Sequence, residues 1–387
     1  MSVQSAASAV QIESSGSVRL AYADVARLIG IFLVYHGHVV ERMMYLGNAA
    51  AAHQYKFIYS FHMPLFFVLS GLIAKDWAAE QSIGQFAKSR FFSRIVPLIF
   101  FNLALALLSL IHKPDFPPIP LETGADYGNA ALMTALQLPV FDVPTWFLMC
   151  LVVVECIHYA VFRSLRGSDA RILVAIVVSY LAGYALNSRF QFFQPGNYAL
   201  PNWWIAYEAI TMYALYLVGV LIRRRGWLSG DVAWFMPALL AIIGFAIVAF
   251  TFDLNQGPFR MKIEAVVILA AAHGHILWFP LTALAGTLAV LALGKMLERA
   301  DWMAWLGRNA LILFCLNGVV YHHVNGPFSA WFTATLPQDG WSVAAGAALL
   351  SVASIALAVP LVIALDRWLP QLVGRPATQG PLLPRLL

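Results

Sequence analysis

The sequence predicts an all-α fold, a polytopic membrane helix bundle of about ten transmembrane helices with both chain ends in the cytoplasm, and three observations predict it. Of 387 residues, 61% are hydrophobic and only 11% are charged, a balance outside the range of soluble domains. Apolar runs long enough to cross a bilayer recur along the whole chain. Basic residues gather on one side of those runs: with ten crossings and an inside N-terminus, eighteen of the twenty-four Lys and Arg fall in inner segments, as the positive-inside rule requires. Topology therefore accounts for the net charge of +5, and nucleic acid is not an expected partner.

Residues 1–21 are polar and lack the apolar core of a cleaved signal, so they read as a cytoplasmic lead. One transmembrane domain, 22–367, follows. Its crossings are expected near 24–46, 57–74, 92–111, 145–163, 170–187, 204–222, 232–251, 277–295, 304–324 and 342–365. Lipid satisfies no backbone polar group, so each crossing is read as a helix. The run at 264–272 is too short to span and reads as re-entrant or interfacial. Residues 368–387, rich in Pro and Gly, read as a disordered cytoplasmic tail. Cys150, Cys156 and Cys315 lie in apolar runs without C-x-x-C spacing and read as buried packing residues.

The first crossing carries the chemistry. YADVARLIGIFLVYHGH, residues 22–38, keeps an aspartate, an arginine and two histidines in an otherwise apolar helix. Each ionisable group costs roughly 2.5 to 3.5 kcal/mol at a helix centre, so a span that retains several is a functional-site candidate. Asp24 precedes Arg27 by three residues, which allows a pair at the inner boundary, whether as part of a site or as a topological anchor. Arg27 and His38, eleven apart, return to nearly one face about 16 Å apart along the axis. His38 suits a general base for a hydroxyl, and Glu41 is placed to fix its tautomer.

Other constellations admit a bland account beside a sharp one. His62, at the head of the second crossing, is a second imidazole at the depth of His38 or an interfacial residue beside an aromatic belt. Lys88, Arg90 and Arg94 can bind polyphosphate or simply obey the positive-inside rule. Phe190, Phe192, Phe193, Tyr198, Trp203 and Trp204 offer rings to sugar faces or to headgroups, while Glu208 needs a partner inside its span. The loop from Lys113 to Thr145 is long enough to cover a cleft. The H-G-H triplets at 36–38 and 273–275 set imidazoles about 200° apart on a helix, a poor chelate, so no metal is expected.

These residues resemble the membrane-bound acyltransferase-3 family, which acylates sugars at the bacterial cell surface. Asp24, Arg27 and His38 match the register of its first helix. Phe61, Met63, Pro64, Leu65, Phe66, Phe67, Ser70 and Gly71 match its F-x-MPLFF-x-x-SG pattern, Arg94 and Pro97 its R-x-x-P, and Trp146, Phe147 and Leu148 its W-F-L. Two departures stand out: Arg90 and Arg94 are four apart where the family often has three, and Asn317 stands where many members carry a histidine. The resemblance implies acyl-CoA, acetyl-CoA in the simplest case, as co-substrate with cytoplasmic access, and His38 as the essential base. It places CoA phosphates on Arg90, Arg94 and Lys88, and a free or lipid-linked glycan acceptor near His62, Trp146, Trp203 and Glu208. The implied setting is the bacterial inner membrane, with polysaccharide-assembly proteins as possible partners. A transporter or flippase of a lipid-linked saccharide is the alternative, against which the chain shows no internal repeat.

Overall fold

The computed structural model describes residues 20–74, 81–113, 121–189, 202–259 and 263–387. Phe190, Phe192, Phe193 and Tyr198 lie outside the described residues, as does nearly all of the N-terminal lead. Fifteen α-helices follow in order: α1 (Ala21–Tyr45), α2 (Ala49–Tyr59), α3 (His62–Leu72), α4 (Ile83–Arg90), then a π-helical turn (Phe91–Ile95) running into α5 (Val96–Ile111). Next come α6 (Gly124–Leu136), α7 (Trp146–Leu165), α8 (Asp169–Arg189), α9 (Ala206–Arg225), α10 (Phe235–Thr251) and α11 (Trp278–Met296). The chain closes with α12 (Asp301–Arg308), α13 (Ala310–His323), α14 (Asn325–Thr335) and α15 (Gly340–Trp368). Among the described residues there is no strand, only an isolated bridge between Val267 and Ala272.

Among the described residues, eight helices are long and apolar enough to cross a membrane, and α12 with α13, bent by 70° around Asn309, makes a ninth if the pair is one span. The difference from ten lies at 57–74. Pro64 has no N–H, and its ring would strike the carbonyl of residue 60 in a continuous helix. The helix therefore breaks at Ser60 and Phe61 and restarts as α3, whose 11 residues reach about 16 Å, half of a hydrocarbon core. Contact with α9 supports this short helix. A Cβ on Gly71 would lie 1.8 Å from the Tyr216 carbonyl oxygen, and one on Gly219 would lie 1.9 Å from that of Val68, so the two backbones touch where only glycine fits.

Helix α1 is the hub. It packs against α2, α3 and every helix from α11 to α15, and 72% of its most apolar stretch is buried, against 11% for α8. Lipid thus meets the outward apolar faces of α8, α10 and α15, while the ionisable residues of α1 are shielded by protein.

The tail corrects the reading of disorder. Gln371, fully buried, donates from Nε2 to the carbonyls of Thr378 and Leu383, and Arg375 pairs with Asp366 while donating to Asn309 Oδ1 at 2.9 Å. These bonds tie the tail to the α12–α13 bend, where its Pro and Gly content serves turns. Cys156 is a second correction: it is exposed on α7, whereas Cys150 and Cys315 are buried. Residues 263–276 are neither span nor helix but an irregular strap with one 3-10 turn, Ile268–Ala270. In the loop after Lys113, the described part carries α6, opened by a capping box of Thr123 and Asp126.

Candidate functional site

His38 sits two-thirds of the way along α1, where α13 crosses it. Its Nδ1 donates to Asn317 Oδ1 at 2.6 Å, and a carbonyl oxygen can only accept, so Nδ1 carries the proton and Nε2 keeps the lone pair. His62 is fixed in the same way, Nδ1 donating to the Ile58 carbonyl at 3.0 Å. That carbonyl, close to the end of α2, also accepts from the Phe61 N–H at 3.3 Å. Both imidazoles line one cavity of about 80 Å³ together with Glu41, Tyr55, Tyr59, Trp146, Tyr321 and the strap residues Val266–Leu269. Two histidines with one nitrogen committed and the other free are suited to take and return protons.

Glu41 does not touch His38. Its carboxylate accepts from Tyr59 at 3.1 Å, Tyr45 at 3.2 Å and Tyr321 at 3.5 Å, and the Tyr321 ring lies against His38 with centroids 4.6 Å apart. Glu41 therefore orders the aromatic wall of the cavity, and Asn317 sets the tautomer. His36, on another face of α1, meets Gln54 at 3.4 Å.

Toward the other end of α1, Arg27 pairs with Asp24 on the same helix. Arg27 and His38 lie eleven positions apart on unbroken helix, about 16 Å along the axis. Between them the ring of Phe66 packs over Gly30, where a Cβ would lie 2.8 Å from its tip, and Phe147 and Phe314 close around Phe66 at centroid distances of 5.8 and 6.2 Å. Arg90 precedes the π-helical turn and Arg94 lies within it. Its i→i+5 bonding admits one extra residue, so a four-residue spacing still brings both guanidiniums to one point. That point is Glu155 Oε1, which accepts from Arg90 at 2.9 Å and from Arg94 at 3.1 Å. Lys88 is exposed on α4.

The structure thus brings His38, Glu41, His62 and Trp146 together, and gathers Arg90 and Arg94 apart from them. Glu208 and Trp203 join neither group. Glu208 is fully buried and pairs with His273, 2.7 Å between Oε2 and Nε2, fastening the strap to α9. Trp203 is half exposed in the 3-10 turn Trp203–Ile205 that precedes α9. Glu155 was missed, and Asn317 was read only as a departure from the resembled family. Glu155 announces itself as a lone carboxylate in the apolar run WFLMCLVVVECIHY, which requires a partner. Asn317 drew notice only as the residue that stands where many members carry a histidine, and its partner, 279 residues away, is not legible from the chain. Among the described residues, no group of three or more His, Cys, Asp or Glu is placed to hold a metal ion.

Comparison with known proteins settles the family. The model described as an acyltransferase domain, that of the acyltransferase-3 family, matches residues 20–363, and the chain belongs to this family of membrane acyltransferases. The nodulation protein NolL of Mesorhizobium japonicum is 34% identical over 79 residues, which is 20% of this chain and 21% of that protein. The shared stretch thus spans about a fifth of either chain. No solved structure matches.

Proposed function

We propose that this acyltransferase works in the bacterial inner membrane, moving an acyl group, acetyl in the simplest case, from acyl-CoA on the cytoplasmic side to a hydroxyl of a cell-surface or exopolysaccharide sugar. One observation carries the reading: His38, with Nδ1 held by Asn317 and Nε2 uncommitted, lines a cavity shared with His62, Glu41 and Trp146. His38 Nε2 takes the proton of the acceptor hydroxyl as its oxygen attacks the thioester carbonyl. The C–O bond forms, the C–S bond breaks, and the departing thiolate recovers the proton from the imidazolium. Base catalysis of this kind contributes about 10²- to 10⁴-fold, and orientation contributes further.

The donor's phosphates would meet Arg90, Arg94 and Lys88 at the opposite end, exchanging for Glu155 as the counter-ion of the two guanidiniums. The pantetheine arm then spans the bundle past Phe66, Phe147 and Phe314, whose rings must part for it. The acyl group crosses; the CoA does not. A lipid-linked sugar or a free glycan serves as acceptor, and polysaccharide-assembly proteins would carry the product onward.

The test is the surface-glycan O-acetyl content, by NMR, of a deletion strain complemented with the wild type or with His38→Ala at equal membrane abundance. Loss of one acetyl signal in His38→Ala is the expected result. Full acetylation in that variant would overturn the mechanism, and a missing glycan, in place of an unacetylated one, would establish a transporter.

A further inference from the structure

The cavity that holds His38 is too small for the acceptor the reaction needs. At about 80 Å³ it lies well under the roughly 300–1,000 Å³ of sites that enclose small organic ligands. A second cavity of about 510 Å³ opens beside it, lined by Tyr45, His53, Tyr55, Lys56 and Glu264 among others. Three features join the two. Tyr55 lines both, and Tyr45 of the larger donates to Glu41 of the smaller at 3.2 Å. The strap runs between them, with Ile263–Ala265 facing the larger space and Val266–Leu269 the smaller.

The strap is held over 273–276. His273 is clamped by Glu208, its carbonyl accepts from Asn255 Nδ2, and the Tyr184 and Tyr180 hydroxyls donate to the carbonyls of Gly274 and Ile276. The dividing part is closed on itself, through the Val267–Ala272 bridge and the Ala265 N–H on the Ile263 carbonyl. Its apolar side chains are packed inside, Ala265 and Val266 each 2% and Ile268 3% exposed, so displacing the wall means drawing these residues out of the core.

The lining chemistry suits a neutral ring with many hydroxyls. Lys56 is paired with Asp253 at 3.0 Å, Asp253 also faces His53 at 3.8 Å, and Glu264 adds a carboxylate, so both charge signs are present and neither dominates. Tyrosine rings supply flat apolar faces with hydrogen-bonding tips.

We propose that this vestibule is the acceptor site, that it binds a neutral saccharide ring, and that displacement of the 263–269 strap delivers the ring's hydroxyl to His38. The proposal rests on the acyl-transfer reading for its chemistry but not for its binding. It is tested by saturation-transfer NMR on the purified full-length protein in detergent, with methyl glycosides of glucose, galactose, mannose and N-acetylglucosamine and no acyl donor present. At least one glycoside is expected to show saturation transfer. Ala52→Trp, which fills the vestibule from α2, is expected to weaken its binding at least tenfold, and Glu264→Ala, an exposed change that the fold tolerates, about threefold or more. No transfer to any glycoside, or binding unchanged in both variants, would overturn the proposal. Adding acetyl-CoA separates the two readings. Binding as described without release of free thiol would sink the transferase and leave the saccharide site standing. Thiol release with acceptor KM unaffected by either variant would do the reverse.

Discussion

The two ends of α1 treat charge in opposite ways. At the His38 end, polar groups are committed on one side only: His38 and His62 each spend Nδ1 on an acceptor and keep Nε2. At the basic end, charges close on each other: Arg90 and Arg94 share one oxygen of Glu155, and Arg27 takes Asp24. On the proposed function, the uncommitted lone pair does the chemistry, and the two arginines, which share a single carboxylate, take the donor's phosphates. The difference teaches that a membrane protein can hold ionisable groups for two reasons, and that hydrogen-bond accounting separates them better than residue type.

The sharpest way to break this contrast is at Glu155, where the largest effect is expected. Glu155→Leu leaves two guanidiniums side by side in a largely buried setting, and loss of one member of such a cluster costs about 3 kcal/mol. Thermal unfolding in detergent should show that loss, while donor KM falls because no internal carboxylate competes for the arginines. A donor KM that rises instead would mean that Glu155 orients the arginines for the donor, and the basic end would then be committed like the other.

Next in size is Asn317→Ala. It removes the partner that fixes the His38 ring, and misplacing a base by about 1 Å costs on the order of 10²-fold in rate. Thiol-release kinetics should show the loss in kcat with donor KM unchanged. A rate within twofold of wild type would show that the ring is held by packing against Tyr321 alone.

Much of this was legible beforehand, and the reason is energetic. Ionisable residues in lipid are costly, so Asp24, Arg27, His38 and Glu41 stood out. Long apolar runs gave the other crossings directly. What escaped was set by tertiary partners. The break before α3 follows from one carbonyl clash at Pro64, which an apolar count does not register. The tail was misjudged on composition because its order comes from Gln371 and Arg375 reaching distant carbonyls and carboxylates. Asn317 was noted only as a departure from the family's histidine because nothing local ties it to His38, and the π-helical turn escaped because one extra residue between two arginines looks like a mismatch until the backbone absorbs it.

The smallest effect belongs to Glu41→Gln, and it asks which residue governs the base. The carboxylate accepts from three tyrosines, two of them on Oε1, whereas glutamine offers one carbonyl oxygen and an amide that donates. Tyr59 can turn to accept from that amide, so the network survives with one bond reversed and a stability loss of about 1 kcal/mol. Because Tyr321 lies against His38, a small shift of that ring should lower kcat about two- to fivefold, a range set by the tenfold change that 1.4 kcal/mol represents. Thiol release from Glu41→Gln and Asn317→Ala membranes, measured side by side, decides the point. If Glu41→Gln is the slower of the two, the carboxylate and not the amide sets the base, and the division of labour within the histidine end is inverted.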